Sequence, residues 1–235
     1  VSTGMAHYLE HMLFKGTDEL GTLDAAAEKV HLDSIAALYE RHWHTTDAGE
    51  RSAIYALIQE QGQLAAQHAV PGELDKVYSA MGASGLNAHT GEEETVYKVN
   101  LPSNRLEQWA RVESERFADP VFRLFQTELE TVYEEKNRTI DNKDRLIRYA
   151  VNRQLWKVHP YGQRTTIGTV EHLKNPSLRR MYEYFQTWYV PNNMAVIISG
   201  DIDIGATIDL IDTHFGAWEK TKLPDLPKWK EKRLV

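Results

Sequence analysis

Strand-like and helix-like segments alternate along this chain, which predicts an α+β or α/β layered domain with helices covering one face of a sheet. Three patterns carry the prediction. Segments 24–44 and 49–68 repeat apolar residues at helical spacing. A glycine-rich stretch, 82–90, runs through acidic residues into the β-branched and aromatic run Thr95–Asn100. Near the other end, Met194–Ser199 is a short apolar run suited to a buried strand, bracketed by helical segments. A chain of 235 residues can bury about 70% of its extended surface, so one large domain is sufficient.

The first element is a helix containing His7, Glu10 and His11. Ala6, Leu9, Met12 and Leu13 give it an apolar stripe, and Gly16 is its expected stop. On a helix, positions 7 and 11 are about 40° apart in projection, so two imidazoles can reach one ion from the same face. Glu10 sits on their flank, where a carboxylate can take a proton from water instead of binding the metal. The order His-x-x-Glu-His is the reverse of the His-Glu-x-x-His zinc-protease motif.

The next two elements are the helices 24–44 and 49–68, with Leu32, Ile35, Leu38 and Tyr39 in one and Ile54, Leu57, Ile58 and Leu64 in the other; Thr45 to Gly49 makes the turn between them. His31, His42, His44 and His68 on this hairpin read as ordinary histidines, and His42 and His44, two apart, face different ways. Strands follow at 82–100. Ser103 or Asn104 can cap a helix carrying Leu106, Trp109, Ala110 and Phe117, closed by Pro120. A longer helix then runs through Glu135 toward Tyr149. On it Glu128 and Glu135, seven residues or two turns apart, share a face, while Glu134 points about 100° away from Glu135. His159 reads as a loop histidine beside Pro160. Ser177 caps a helix with Leu178, Met181, Tyr182 and Phe185 inward, ended by Pro191. After the run Met194–Ser199, Gly200-Asp201 turns the chain and Asp203 caps a last helix whose expected buried face is Ile204, Ile208, Ile211 and Phe215.

The segment Gly4-Met5-Ala6-His7-Tyr8-Leu9-Glu10-His11-Met12-Leu13-Phe14-Lys15-Gly16-Thr17 resembles, nearly residue for residue, the active-site helix of the pitrilysin, insulysin and mitochondrial-processing-peptidase family of inverzincin metallopeptidases. Glu128 through Glu135 resembles that family's second motif. The resemblance implies a zinc endopeptidase: Zn²⁺ held by His7, His11 and Glu135, Glu10 as general base, and Glu128 as a carboxylate behind the ligands that orients a histidine or the ligand helix. It also implies that Asn87 and Ala88, at the matching positions of an Asn-Ala-x-Thr segment, lie on an edge strand that pairs with an extended peptide substrate. An interior hairpin is the plainer reading of the same segment. The implied fold is a mostly antiparallel roll covered by helices, with residues 18–81 an inserted helical hairpin of the kind associated with bacterial members. A structural or peptide-binding subunit of the same fold is the alternative function; it would have no need of the base at Glu10.

Composition excludes other classes. There is no cysteine, so neither a disulfide framework nor a thiolate ligand is available. The net charge of -7 and the lack of a basic cluster give nucleic acid no footing. No apolar run reaches transmembrane length. The metal motif begins almost at once, whereas the resemblance places strands ahead of it, so the expectation is a single, N-terminally truncated metallopeptidase domain over 1–235. Residues 223–235, with prolines, Trp229 and alternating lysines, read as the start of a linker to a second homologous half or partner subunit. That half would complete the clamp on a peptide substrate, leaving this chain alone a weak peptidase.

Overall fold

The computed structural model describes residues 3–232. In chain order its elements are α1 (Met5–Met12), α2 (Ala25–His44), α3 (Ala48–Ala66), α4 (Glu73–Ala80), β1 (Ser84–Thr90), β2 (Thr95–Asn100), α5 (Leu106–Ala118), α6 (Phe125–Ile140), α7 (Lys143–Leu155), α8 (Pro160–Gln163), α9 (Val170–Leu173), α10 (Leu178–Trp188) and α11 (Ile204–Phe215). The class is α+β, and among the described residues the sheet is the single antiparallel pair β1–β2. Asn87 stands opposite Lys98, Ala88 opposite Tyr97 and Thr90 opposite Thr95.

Helix α1 is the centre of the core. Tyr8, Leu9, Met12 and Leu13 are buried together with Ile35 and Tyr39 of α2, Ile54 and Ile58 of α3, Phe125 and Val132 of α6, and Met181 and Phe185 of α10. Phe125 lies between two tyrosines, 4.8 Å from the Tyr8 ring and 5.0 Å from the Tyr39 ring. The chain leaves α1 through Gly16, whose φ of 94° is costly for any residue with a Cβ; a Cβ there would also overlap the Leu20 carbonyl.

The loop after α1 closes around Arg123, which is 2% exposed. Its guanidinium donates to the carbonyls of Lys15 (2.6 Å), Leu20 (2.9 Å) and Thr17 (2.5 Å), and Nε donates to Glu28 on α2 at 3.0 Å. One side chain thus ties the exit of α1 to the entry of α2. A second buried arginine, Arg116, pairs with Glu113 at 2.5 Å and lies over the rings of Phe14, Tyr97 and Phe117. Arg123 is tolerated because it has a carboxylate partner and three carbonyl acceptors, and Arg116 because it has the Glu113 carboxylate and the faces of three aromatic rings, although its Nε has no hydrogen-bond partner among the described residues.

Helices α2 and α3 form an antiparallel hairpin, each started by an aspartate whose side chain accepts from a first-turn amide: Asp24 from Ala27 and Asp47 from Glu50. The chain enters and leaves this hairpin at one place, where Leu23 N–H donates to His68 at 2.7 Å and Val70 N–H donates to Gly21 at 2.9 Å. Gln126 at the start of α6 is bonded to both helices, through Tyr39 and Tyr55.

Three sequence expectations change. Met194–Ser199 is not in a strand; its backbone has no ladder partner among the described residues, and Ile197 is 89% exposed. The long helix expected through Tyr149 breaks at Asp141–Asn142, because the Asn142 side chain accepts from Arg145 N–H and caps a new helix, α7. On α11, Ile204 and Ile208 are exposed, and the helix packs through its C-terminal part, Phe215 against Trp109 of α5.

Removing one partner of a buried pair strands the other, so Arg123→Met should cost about 3–5 kcal/mol in denaturant unfolding. Glu28→Gln should cost less when placed in the Arg123→Met background than alone, which a double-mutant cycle measures.

Candidate metal centre

The metal ligands proposed from sequence come together. His7 and His11 leave α1 on one face, their ring centroids 4.9 Å apart. Glu135, on the facing helix α6, brings Oε2 to 3.5 Å from Nε2 of each imidazole. Among the described residues this is the one group of three potential ligands whose donor atoms all lie within 4.8 Å of one another. A separation of 3.5 Å is long for a hydrogen bond. It suits donors sharing one ion, since two ligands bound tetrahedrally to zinc at about 2.1 Å stand about 3.4 Å apart. Two imidazoles and a carboxylate, with no thiolate, are also the donor types zinc takes where one position stays open. The side-chain exposures give the site an open side: 12% at His7, 22% at His11 and 42% at Glu135.

Glu128 lies two turns before Glu135 on the same face of α6. Its Oε1 accepts from His11 Nδ1 at 2.7 Å, and its other oxygen is paired with Lys15. Burial would raise the Glu128 pKa, yet the hydrogen bonds from His11 and Lys15 and their charges bring it below the usual carboxylate range. An ionised Glu128 can only accept. The His11 proton is therefore on Nδ1 and the Nε2 lone pair is left for the shared centre.

The two imidazoles differ. Burial is the largest influence on both, and at His7 it prevails: the pKa falls, with the Glu135 charge opposing it and His11 and Arg145 adding to it. At His11 burial is outweighed by the hydrogen bond and charge of Glu128 and by the charges of Glu135 and Glu10, so the pKa rises. His7 Nδ1 is buried with no hydrogen-bond partner among the described residues, so nothing equivalent to Glu128 fixes its tautomer.

Glu10 is 7% exposed and stands beside this centre without joining the three donors. Its Oε2 accepts from the hydroxyl of Thr90, at the end of β1. Asn87 and Ala88 lie on the same strand, Asn87 exposed and Ala88 half-buried. The edge of β1 away from β2 has no strand partner among the described residues. Glu134 is exposed and Glu135 half-buried, in agreement with their helical divergence. His31, His42, His44 and His68 join no metal-like cluster among the described residues. Lys15 and Thr90 stand in the quoted motifs but were given no role from the sequence. Lys15 carried a usable signal, one helical turn beyond His11, whereas Thr90 is eighty positions from Glu10 and only the hairpin brings it there.

Comparison with known proteins relates the chain to named zinc proteases. A profile described as "Peptidase M16 inactive domain" matches residues 177–234; His7, Glu10, His11 and Glu135 all lie outside that match. The uncharacterized zinc protease YmfH of Bacillus subtilis is 28% identical over 159 residues, covering 67% of this chain and 36% of the relative. The probable zinc protease PqqL of Haemophilus influenzae is 34% identical over 140 residues, covering 55% of this chain and 14% of the relative. The chain therefore spans little more than a third of the length of one of these relatives and about a seventh of the other. The crystal structure of the first half of the periplasmic protease PqqL from Escherichia coli superposes with a TM-score of 0.69 at 22% identity, over 98% of this chain and 40% of that one, which shows the shared fold. In sequence and in fold the chain is thus similar to proteins of the M16 peptidase family.

The two adjacent glutamates separate by their faces. Glu135→Gln should sharply weaken zinc affinity and Glu134→Gln should leave it near normal, while Glu128→Gln should cost about 10- to 100-fold. Competition with a chromophoric chelator reads all three; equal losses at 134 and 135 would put the ligand register off by one.

Proposed function

We propose that this chain is the zinc-bearing half of a metalloendopeptidase that hydrolyses unstructured peptides. The observation that carries the reading is the convergence of His7, His11 and Glu135 at one point, with a buried carboxylate, Glu10, beside it and outside the donor set. The zinc-protease names of the relatives support the same reading.

When bound, Zn²⁺ supplies Lewis acidity, lowering the pKa of water toward about 7 and polarising a carbonyl. The rest falls to the chain's own residues. His7 and His11, on one buried helix, hold two donors in fixed relation, and Glu128 keeps the His11 proton on Nδ1. Glu10 accepts a proton from the attacking water and returns it to the departing amine, so it must be ionised before attack and protonated after it. Asn87 and Ala88 offer main-chain groups on the open edge of β1, to which an extended peptide can pair with little regard to its side chains. A strand-paired substrate must be locally unfolded, which is why unstructured peptides fit best.

The remaining grip on the substrate is assigned to a second homologous half or partner subunit. Positioning of this kind can supply roughly 7 to 11 kcal/mol of barrier lowering, so the isolated chain should cleave slowly even when loaded with zinc. A second reading, a structural or peptide-binding subunit, draws on the "inactive domain" description of the profile matched at 177–234. A buried acid at position 10 favours the enzyme, because a scaffold gains nothing from leaving a carboxylate there.

Glu10→Gln in the full-length protein decides between them. Zinc content should be unchanged, while peptide hydrolysis should fall by about 10² to 10⁴-fold. Loss of zinc together with activity would make Glu10 a ligand, and unchanged hydrolysis would remove it as the base.

A further inference from the structure

The carboxylate of Glu10 is nearly buried, and among the described residues one side chain donates to it: Thr90, whose Oγ1 hydrogen-bonds Oε2. Thr90 is the last residue of β1, opposite Thr95 in the ladder, and the two hydroxyl oxygens are 3.4 Å apart. An ionised carboxylate only accepts, so the Thr90 hydroxyl is the donor. Threonine is β-branched and its χ1 is stiff, and the backbone at position 90 is held by the β2 pairing, so the direction of this hydroxyl is set by the sheet and not by the helix that carries Glu10. Side chains two apart on a strand share a face. Thr90 and Ala88 are both half-buried on the face turned to the core, while Asn87 and His89 are exposed.

We propose that Thr90 is a positioning residue that ties the base to the peptide-binding strand: its hydroxyl holds Oε2 of Glu10, leaving Oε1 as the oxygen that takes and returns the proton, and fixes that oxygen relative to the backbone of residues 87–90. The inference rests on Glu10 being the base and on β1 receiving the peptide. It deepens that reading in one respect. A peptide docked along β1 arrives in register with the base because the two are joined by a single hydrogen bond, without passing through the core. Threonine does this better than serine, whose hydroxyl turns more freely, and valine keeps the shape while removing the donor.

The test uses the zinc-loaded full-length protein carrying Thr90→Val, Thr90→Ser or Glu10→Gln, assayed on an unstructured peptide, with zinc content and thermal unfolding measured on each. Losing a hydrogen bond to a charged group should lower kcat of Thr90→Val by about 10- to 100-fold. KM and zinc content should stay within about twofold, since neither the strand edge nor the ligands have changed. Thr90→Ser should recover most of kcat, and in a crystal structure of Thr90→Val the Glu10 carboxylate should leave its present position while β1 stays in place. Wild-type kcat in Thr90→Val, with Glu10→Gln inactive, would overturn this inference and leave the base assignment standing. A loss confined to KM, or one that serine does not recover, would also overturn it, because either would mark a packing role. An active Glu10→Gln enzyme would overturn both the base assignment and this inference. Should Thr90→Val fail to fold, the serine variant and the position of Glu10 in its crystal structure carry the test: a kcat near wild type with Glu10 in place supports the inference, and a displaced Glu10 with unchanged kcat contradicts it.

Discussion

Everything at this site depends on the packing of α1 against α6. Two histidines one turn apart are common on helices, but they define a metal position only when the helix cannot roll or slide. Here Leu9, Met12 and Leu13 are fully buried, and Tyr8 donates to the Phe125 carbonyl at the first residue of α6. Any rotation of α1 would expose apolar surface worth roughly 1.5–3 kcal/mol per side chain. The same contact brings Glu128 and Glu135, two turns apart on α6, against His11 and against the gap between the imidazoles. Arg116 and Arg123 close the other end of α1 by binding the carbonyls of Leu13, Lys15 and Thr17 just beyond it.

The three carboxylates around the two imidazoles are told apart by what touches them. Glu128 is paired with Lys15 and His11, so its charge is already used in fixing a tautomer. Glu10 is held by a neutral hydroxyl, which orients it without cancelling its charge. Glu135 is the most exposed of the three side chains, and its near neighbours are the two Nε2 atoms. Three acids against Lys15 and Arg145 leave an excess of negative charge, a field that a dication would relieve. The buried core lies below the site and its open side is at Glu135.

Much of this was legible in the sequence because the signals were local. The periods of α1, α2 and α3, the caps at Ser177 and Asp203, and the placement of Glu134 and Glu135 on different faces follow from 3.6 residues per turn and from side chains that bond nearby amides. Readings that needed a partner elsewhere in the chain fared worse. Met194–Ser199 has strand composition, but a strand exists only where another backbone completes its ladder. The apolar stripe of α11 implied burial that α5 supplies only at Phe215 and nearby. Arg116, Arg123 and Glu28 look like surface charges in a list of residues, and their burial rests on carbonyls that only the folded loop after α1 provides. The bond from Thr90 to Glu10 was invisible for the same reason.

The central claim, that His7, His11 and Glu135 share one zinc ion while Glu10 stands aside, is tested most directly by X-ray absorption at the zinc edge on the loaded chain. Two imidazole nitrogens and carboxylate or water oxygens at about 2.0–2.1 Å, with no heavier scatterer, is the expected shell, and it should be the same in Glu10→Gln. A shell made only of oxygen, or one that loses an oxygen when Glu10 becomes glutamine, would contradict the account.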